Sequence, residues 1–404
     1  MHYICAYSTC MFARNLFDEL GKHLKERPAT VITGMRRVGK STLLKALLDK
    51  IPGDNKIYLD LERIENRHIF RQPTYHDMEL YLEAQGINIQ TRCTIALDEI
   101  QLMPDIVSVI KYWYDTYRVK FLITGSSSFY LKNRFSESLA GRKQIFELHP
   151  LSFDEFLRFK EVEEKRFQPF SFRAFTDGFH AQFTSYYNEY VKYGGFPEVA
   201  LIRKVTSKKA MLLDILNAYI DLDVKLLADF TLNDELYKLI RLMASRTGSK
   251  LDVSKLASVA GINRNKLAHY LNLFEQTYFL VRLTPFSQNT DKEISQQPKY
   301  YFSDSGIFNL LEEQDRGKIF ENVVVNQFLR LDKRINYYQK KSGQEIDLIW
   351  KNKTAVEIKT TATKSDYQVL SARAKALGCK DQILVSFSPP ASGFKNFVWG
   401  GSIF

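Results

Sequence analysis

Three short stretches of this chain carry residues that could act on a phosphate. In the first, Thr30-Val-Ile-Thr-Gly34-Met35-Arg36-Arg37-Val38-Gly39-Lys40-Ser41-Thr42, an apolar run enters Gly-x-x-x-x-Gly-Lys-Ser and a helical pattern (Leu43, Leu44, Leu47, Leu48, Ile51) follows. Gly34 and Gly39 let the backbone curl so that N–H groups of Gly34 to Thr42 face one anion. Lys40 adds a point charge for the outer phosphates of ATP, and the Ser41 hydroxyl suits Mg²⁺. A helix starting near Lys40 turns its positive end to the same anion. A glycine turn that fits the pattern by accident is the competing reading; the strand before and the helix after argue against it.

The second stretch is Thr94-Ile-Ala-Leu-Asp98-Glu99-Ile-Gln101, an apolar run ending in two carboxylates. Asp98 would hold Mg²⁺ through water, and Glu99 would polarise an attacking water. The third is Lys120-Phe-Leu-Ile-Thr-Gly-Ser126-Ser127-Ser128, where an apolar run ends in hydroxyls. Ser126 is the first choice for a polar sensor beside the γ-phosphate and Ser127 the second, with a serine-rich turn as the alternative. Arg142, after Gly141, could reach a transferred phosphoryl group as an arginine finger, in cis or from a second copy of the chain. A surface arginine after a glycine turn is the stronger competing reading.

These residues need buried strands that end at one place. The expected elements are a helix from Phe12 to Leu24, the strand before Gly34, a strand over 56–61, a helix around Asp77–Glu83, the strand before Asp98, a helix over Pro104–Tyr117, the strand before Ser126, and a strand over 144–148. Ser152-Phe-Asp-Glu155 is a capping box that opens a short helix and would close the domain.

At this point the chain resembles a known family. The blocks Gly-x-Arg-Arg-x-Gly-Lys-Ser, Leu-Asp-Glu-Ile-Gln, Ile-Thr-Gly-Ser-Ser-Ser, Leu-Ala-Gly-Arg and Pro-Leu-Ser-Phe-x-Glu-Phe are similar to a prokaryotic AAA-type ATPase family whose members carry a C-terminal domain of unknown function. Tyr193-Gly-Gly-Phe-Pro-Glu198 and Tyr301-Phe-Ser-Asp-Ser-Gly306 resemble that family's later blocks. The likeness runs from Phe12 to about Thr360. It implies an ATP-dependent protein with a five-stranded parallel core.

A length of 404 residues implies two to four domains. The apolar share of 45% and charged share of 25% are those of a soluble globular protein. Lys and Arg exceed Asp and Glu by 57 to 46, which suits anionic partners such as nucleic acid or simply a solvated basic surface. Cys5, Cys10, Cys93 and Cys379 have neither zinc nor disulfide spacing, which suits a reducing cytoplasm. No apolar run approaches the ~20 residues of a membrane span, and the N-terminus lacks the pattern of a secretory signal. Residues 1–10 read as an extension from an upstream start codon.

Residues 159–230 read as a helical connector. Phe167, Phe170, Phe172, Phe175, Phe179, Phe183, Tyr186, Tyr187 and Tyr190 fall at spacings of three and four that mark packing rather than a cofactor box. Gly194-Gly195-Phe-Pro197 breaks the pattern, and a long helix over Ser207–Leu227 would bridge onward. Residues 231–286 read as three helices and a hairpin, a helix-turn-helix with a wing. Leu267, Tyr270, Leu271 and Phe274 would line its core. Arg264, Asn265, Lys266 and His269 sit where a recognition helix meets DNA, although such modules on ATPase cores also serve as lids.

Residues 287–404 read as an α/β domain. Strand alternation sends Ile346, Leu348, Trp350, Val356 and Ile358 to one face and Glu345, Asp347, Glu357 and Lys359 to the other. A loop at Lys351–Lys353 would set Asp347 opposite Glu357, two carboxylates suited to Mg²⁺, with Lys359 to activate water; a solvated face explains the same alternation. Asp-x(n)-Glu-x-Lys after a Glu-bearing helix resembles the PD-(D/E)xK nuclease fold, with Asp347, Glu357 and Lys359 at its motif positions and Glu321 as its first-helix acid.

The expected fold is therefore α/β: an AAA-type core with a parallel five-stranded sheet (1–158), a helical connector, a winged helix, and a nuclease-like end. Three functions are compatible with it. One is a Mg²⁺-dependent ATPase that couples nucleotide state to the later domains on DNA. The others are a metal-dependent DNA nuclease regulated by ATP, and a nucleotide-dependent interaction switch. A homo-oligomer is a candidate assembly, because an Arg142 finger in trans would require one.

Overall fold

Three apolar runs without polar alternation become strands buried along their whole length: β1 (Ala29–Thr33), β3 (Cys93–Asp98) and β4 (Val119–Gly125). The half-buried β2 (Lys56–Asp60) and β5 (Lys143–Glu147) complete one sheet in the order β2-β3-β4-β1-β5, every pairing parallel. This computed structural model describes residues 14–126, 139–163, 172, 175–224, 233–287, 297–312, 315–340, 343–390 and 393–404. Expectations for residues 1–13, Ser127, Ser128, Phe167, Phe170 and Leu227 lie outside the described residues.

The chain divides into two compact units, Met1–His149 with Gln276–Tyr278 and Pro150–Glu275 with Phe279–Phe404. In the first, α1 (Leu16–His23), α2 (Lys40–Asp49), α3 (Ile64–Ile69), α4 (Tyr75–Ala84) and α5 (Ile106–Thr116) accompany the sheet. Leu43, Leu44, Leu47 and Leu48 of α2 are buried, each worth roughly 1.5–3 kcal/mol of transfer free energy. α3 has no counterpart among the expected elements.

The capping box at Ser152 is present: Glu155 accepts the Ser152 N–H at 2.9 Å and opens α6 (Phe153–Phe159). By its contacts this helix lies in the second compact unit. Leu151 explains why. Its N–H donates to Gly195 O at 2.6 Å, and its carbonyl accepts from Tyr190 Oη at 3.0 Å and Arg330 Nη1 at 2.8 Å.

Along α7 (Asp177–Tyr193), Phe183, Tyr187 and Tyr190 are buried against other rings: Tyr187 meets Phe153 at 5.0 Å and Trp399 at 5.2 Å. After α8 (Pro197–Leu201) comes α9 (Val205–Ala218), shorter than the expected Ser207–Leu227 helix. Tyr219–Val224 winds as a π-helix, and Tyr219 lies flat on Phe279 with ring centres 4.3 Å apart. α10 (Asn233–Ser245), α11 (Val253–Ala260) and α12 (Arg264–Gln276) follow, with Leu267, Tyr270, Leu271 and Phe274 buried. The hairpin partner of β6 (Leu280–Leu283) is β7 (Lys299–Phe302), beyond the expected boundary at 286.

The last sheet has the order β12-β11-β10-β9-β8, formed by β8 (Ile335–Gln339), β9 (Glu345–Trp350), β10 (Thr354–Thr361), β11 (Asp381–Ser388) and β12 (Val398–Trp399). β8, β9 and β10 pair antiparallel, and β10, β11 and β12 parallel. α13 (Ser305–Leu311) and α14 (Arg316–Leu331) precede the sheet, and α15 (Lys364–Leu377) links β10 to β11. Among the described residues no helix is long and apolar enough to cross a membrane.

One buried carboxylate joins α7 to α13. Asp304 caps α13 by accepting from the N–H groups of Gly306 (2.8 Å) and Ile307 (3.2 Å), and its other oxygen accepts from Gly195 N–H (2.7 Å). Ser305 and Asn309 in turn donate to the Tyr190 and Lys192 carbonyls near the end of α7. A Cβ on Gly194 would lie 2.1 Å from Asp304 Oδ1, and one on Gly306 would lie 2.2 Å from Tyr193 O. The blocks Tyr193–Glu198 and Tyr301–Gly306 are thus two halves of one joint.

Asp304 is 4% exposed, and burial lifts its carboxyl from 3.8 to about 6 against the pull of three backbone N–H donors. The folded chain therefore binds this proton more tightly than the unfolded chain. The stabilisation is complete below about pH 4 and is lost as pH rises through 6. Urea unfolding between pH 4 and 7 is expected to show wild type losing about 3 kcal/mol relative to Asp304→Asn across that window; parallel curves would contradict this account.

Candidate functional site

β1 ends at Thr33, and the chain turns through Gly34–Gly39 before α2 begins at Lys40. Gly34, Arg37 and Gly39 hold positive φ of 155°, 67° and 95°. A Cβ at Gly34 would come within 2.1 Å of Leu148 O, so the turn passes the end of β5 too closely for any side chain. Arg14, which sequence reasoning missed, braces the turn: Nη1 donates to Val38 O at 2.8 Å and Nη2 to His149 O at 2.5 Å. Lys40 is 4% exposed and its Nζ donates to Met35 O at 3.1 Å. Ser41 and Thr42 are half-buried, and Arg36 lies 3.8 Å from Glu62.

Asp98 closes β3 and is clamped from both sides. Tyr58 Oη of β2 donates to Asp98 Oδ2 at 2.5 Å, and Thr124 Oγ1 of β4 donates to Oδ1. Burial and that bond hold the Tyr58 phenol well above its ordinary range. Lys45, one turn into α2, stacks its ammonium 4.7 Å from the Tyr58 ring centre. The register explains the clamp, because Asp60 pairs with Asp98 and Leu97 with Ile123, which sets Tyr58 and Thr124 on the strands flanking the acid. Neither partner carries a motif of its own.

Glu99 follows at φ 55°, its N–H donating to Thr124 Oγ1 at 3.0 Å. Gln101, on the short 3₁₀ turn Ile100–Leu102, donates through Nε2 to Glu99 Oε2 and to Ser126 Oγ at 3.1 Å. The structure thus brings Glu99 and Ser126 together, through a residue to which sequence reasoning gave no role.

Arg142 is elsewhere. It forms a two-pronged pair with Asp115, Nε to Oδ1 at 2.8 Å and Nη2 to Oδ2 at 3.1 Å. It immediately precedes β5, whose first residue Lys143 pairs with Ala29 at the start of β1. A parallel strand rising about 3.3 Å per residue separates that edge from the Gly34–Gly39 turn. The expectation of a finger in cis is corrected accordingly.

In the second unit, Arg264, Asn265, Lys266 and His269 are exposed on the first turns of α12, Lys266 paired with Glu235 at 2.7 Å. Glu321, Asp347, Glu357 and Lys359 also converge. Asp347 is raised well above the carboxylate range by burial and then by the charges of Glu357 and Glu321, and burial likewise raises Glu321. The antiparallel register of β9 and β10, continued by one step, sets Asp347 opposite Glu357, as expected.

Each of these acids has a hydrogen-bond partner within the protein. Asp347 Oδ2 accepts the Ile358 N–H at 2.7 Å, Glu357 Oε1 binds Lys359 Nζ at 2.8 Å, and Glu321 Oε1 accepts from Tyr301 Oη at 2.7 Å. Lys299 of β7 pairs with Glu345. The second Glu357 oxygen, Oε2, is buried and has no hydrogen-bond partner among the described residues. Among the described residues, no group of three or more His, Cys, Asp or Glu side chains is placed to hold a metal ion.

Comparison with known proteins divides the chain into three stretches. Residues 26–157 match the model of an AAA domain, and residues 184–317 and 316–399 match two domains of unknown function, DUF8612 and DUF4143. An uncharacterized protein of Methanocaldococcus jannaschii is 27% identical over 338 residues, 81% of this chain and 74% of its own length. One from Haemophilus influenzae is 24% identical, covering 79% of this chain and 78% of its own. The RuvB Holliday junction branch migration motor of Thermotoga maritima aligns over 67% of this chain and 90% of its own at 14% identity; its TM-score of 0.33 is too low to carry an argument. The parallel sheet and the turn that follows β1 lie within the stretch that matches the AAA domain model.

Proposed function

We propose that the first unit is a Mg²⁺-dependent ATP hydrolase. The observation that carries this reading is the placement of Lys40, Asp98, Glu99 and Ser126 at or after the carboxyl ends of three neighbouring parallel strands. That edge of an open parallel sheet is where ligands bind. The residues fit the ligand: a turn with positive φ and no room for a Cβ, a buried ammonium, and hydroxyl and carboxylate oxygens of the kind Mg²⁺ takes.

Ser41 and Asp98 would hold the ion, which when bound neutralises charge on the β- and γ-phosphate oxygens. The turn from Gly34 to Thr42 cradles the phosphates, and Lys40 exchanges Met35 O for a phosphate oxygen. Glu99 orients the attacking water and draws its proton. Ser126 supplies a hydroxyl beside the γ-phosphate.

Lys40→Ala is expected to lower ATP turnover at least 10²-fold; turnover at the wild-type rate would falsify the assignment. Glu99→Gln should bind nucleotide within about threefold of wild type and hydrolyse it 10²- to 10³-fold more slowly. Because Arg142 is bound to Asp115 at the far edge of the sheet, Arg142→Ala should leave kcat within about twofold, measured over a range of protein concentrations. A concentration-dependent loss in that variant would restore the finger in trans.

A second reading concerns α12, where Arg264, Asn265, Lys266 and His269 are exposed side by side. They support DNA contact by the second unit. Duplex binding titrated at several salt concentrations should weaken steeply with salt, and Arg264→Ala should reduce the logarithmic slope by about 1. Binding that ignores salt, or no binding, removes DNA from the function.

A further inference from the structure

We propose that Gln101 is the positioning residue of this hydrolytic site, a single amide that fixes the Glu99 carboxylate and the Ser126 hydroxyl relative to each other. The inference rests on the hydrolase reading and adds to it a role for the glutamine that ends the Leu-Asp-Glu-Ile-Gln block.

The orientation of the amide follows from chemistry. A carboxylate has no proton to give, so the atom facing Glu99 Oε2 is the donor Nε2, which also reaches Ser126 Oγ at 3.1 Å. Both of its hydrogens are then committed. The other end, Gln101 Oε1, is buried and has no hydrogen-bond partner among the described residues. Leaving a carbonyl unpaired inside a protein is costly. Gln101 is only 7% exposed, so the amide cannot turn to solvent for relief. The geometry retains the two bonds made by Nε2 at the expense of its own oxygen.

The surroundings favour the same role. Glu99 follows β3 with φ 55°, a left-handed backbone that a residue with a Cβ adopts only under constraint. Its N–H is tied to Thr124 Oγ1, the hydroxyl that also donates to Asp98. Buried Ile100 anchors the 3₁₀ turn that returns Gln101 towards its neighbour two residues back. Glu99 is therefore held at its backbone by β4 and at its carboxylate by Gln101. Ser126, just past the end of β4, shares that amide. A displacement of either side chain relative to the other must break a bond to Nε2. Placement at this precision matters to rate, since a misplacement of about 1 Å costs on the order of 10²-fold.

The test compares Gln101→Ala with Gln101→Glu, which keeps the shape and removes the donor. Both are expected to lower kcat 10- to 100-fold. KM, and the affinity for a fluorescent ATP analogue, should stay within about threefold, since the phosphate-cradling turn is untouched. If Gln101 merely fills space, Gln101→Glu recovers wild-type kcat and the inference is overturned. Adding Ser126→Ala to Gln101→Ala should cost less than the product of the single effects, because the two share one bond; independent effects also count against it. Crystal structures of the variants supply a readout apart from activity: the Glu99 carboxylate is expected to leave its orientation towards Ser126. If wild type does not hydrolyse ATP, the hydrolase reading fails, and these structures still decide the matter. Glu99 unmoved in both variants would show that Gln101 positions nothing.

Discussion

The first unit depends on the alignment of β3 between β2 and β4. In a parallel sheet every strand delivers its last residue to the same edge, so groups far apart in sequence become neighbours without any loop having to fold back. Asp98 shows what the alignment achieves. Its two oxygens are taken by hydroxyls from the strands on either side, so the acid cannot swing without breaking a bond to one of them. A slip of one residue in either pairing would carry Tyr58 or Thr124 to the other face of its strand.

The second unit turns on a different device. α7 ends with carbonyl groups that its own helix cannot satisfy, and α13 starts with N–H groups in the same position. Asp304, Ser305 and Asn309 supply partners to both ends. Glycine at 194 and 306 is the steric condition for bringing the ends so close. Sequence blocks that resemble a family's motifs thus prove to be joinery inside the fold.

What the sequence made legible is local. The spacing of Gly34, Gly39, Lys40 and Ser41 lies within one turn and one helix start, and the acids of Asp98 and Glu99 end a run whose burial is plain from composition. The faces of β9 and β10, and even the pairing of Asp347 with Glu357, followed from alternation and one short loop. Tyr58, Thr124 and Arg14 were not legible, since their importance comes from the strand order β2-β3-β4-β1-β5, which no spacing encodes. Arg142 is more instructive. It precedes its strand, and in a parallel sheet a residue before a strand lies at the opposite edge from residues that follow one. The hairpin boundary at 286 failed for another reason, because the second strand lies across an intervening polar stretch that the pattern could not bridge. The neighbours of Asp347 were legible, but its bond to the Ile358 N–H could be seen only in three dimensions.

The bond from Lys40 to Met35 O carries one more consequence. The ammonium is buried yet solvated by its own chain, so an incoming phosphate does not find a bare cation. It must displace an intramolecular competitor that is always present at high effective concentration. The affinity of such a turn then reports a difference, phosphate against peptide carbonyl, and not the full strength of a charge pair. A weakly basic oxygen would lose that contest and a multiply charged one would win it. A phosphate-binding turn built in this way would screen its ligands by charge.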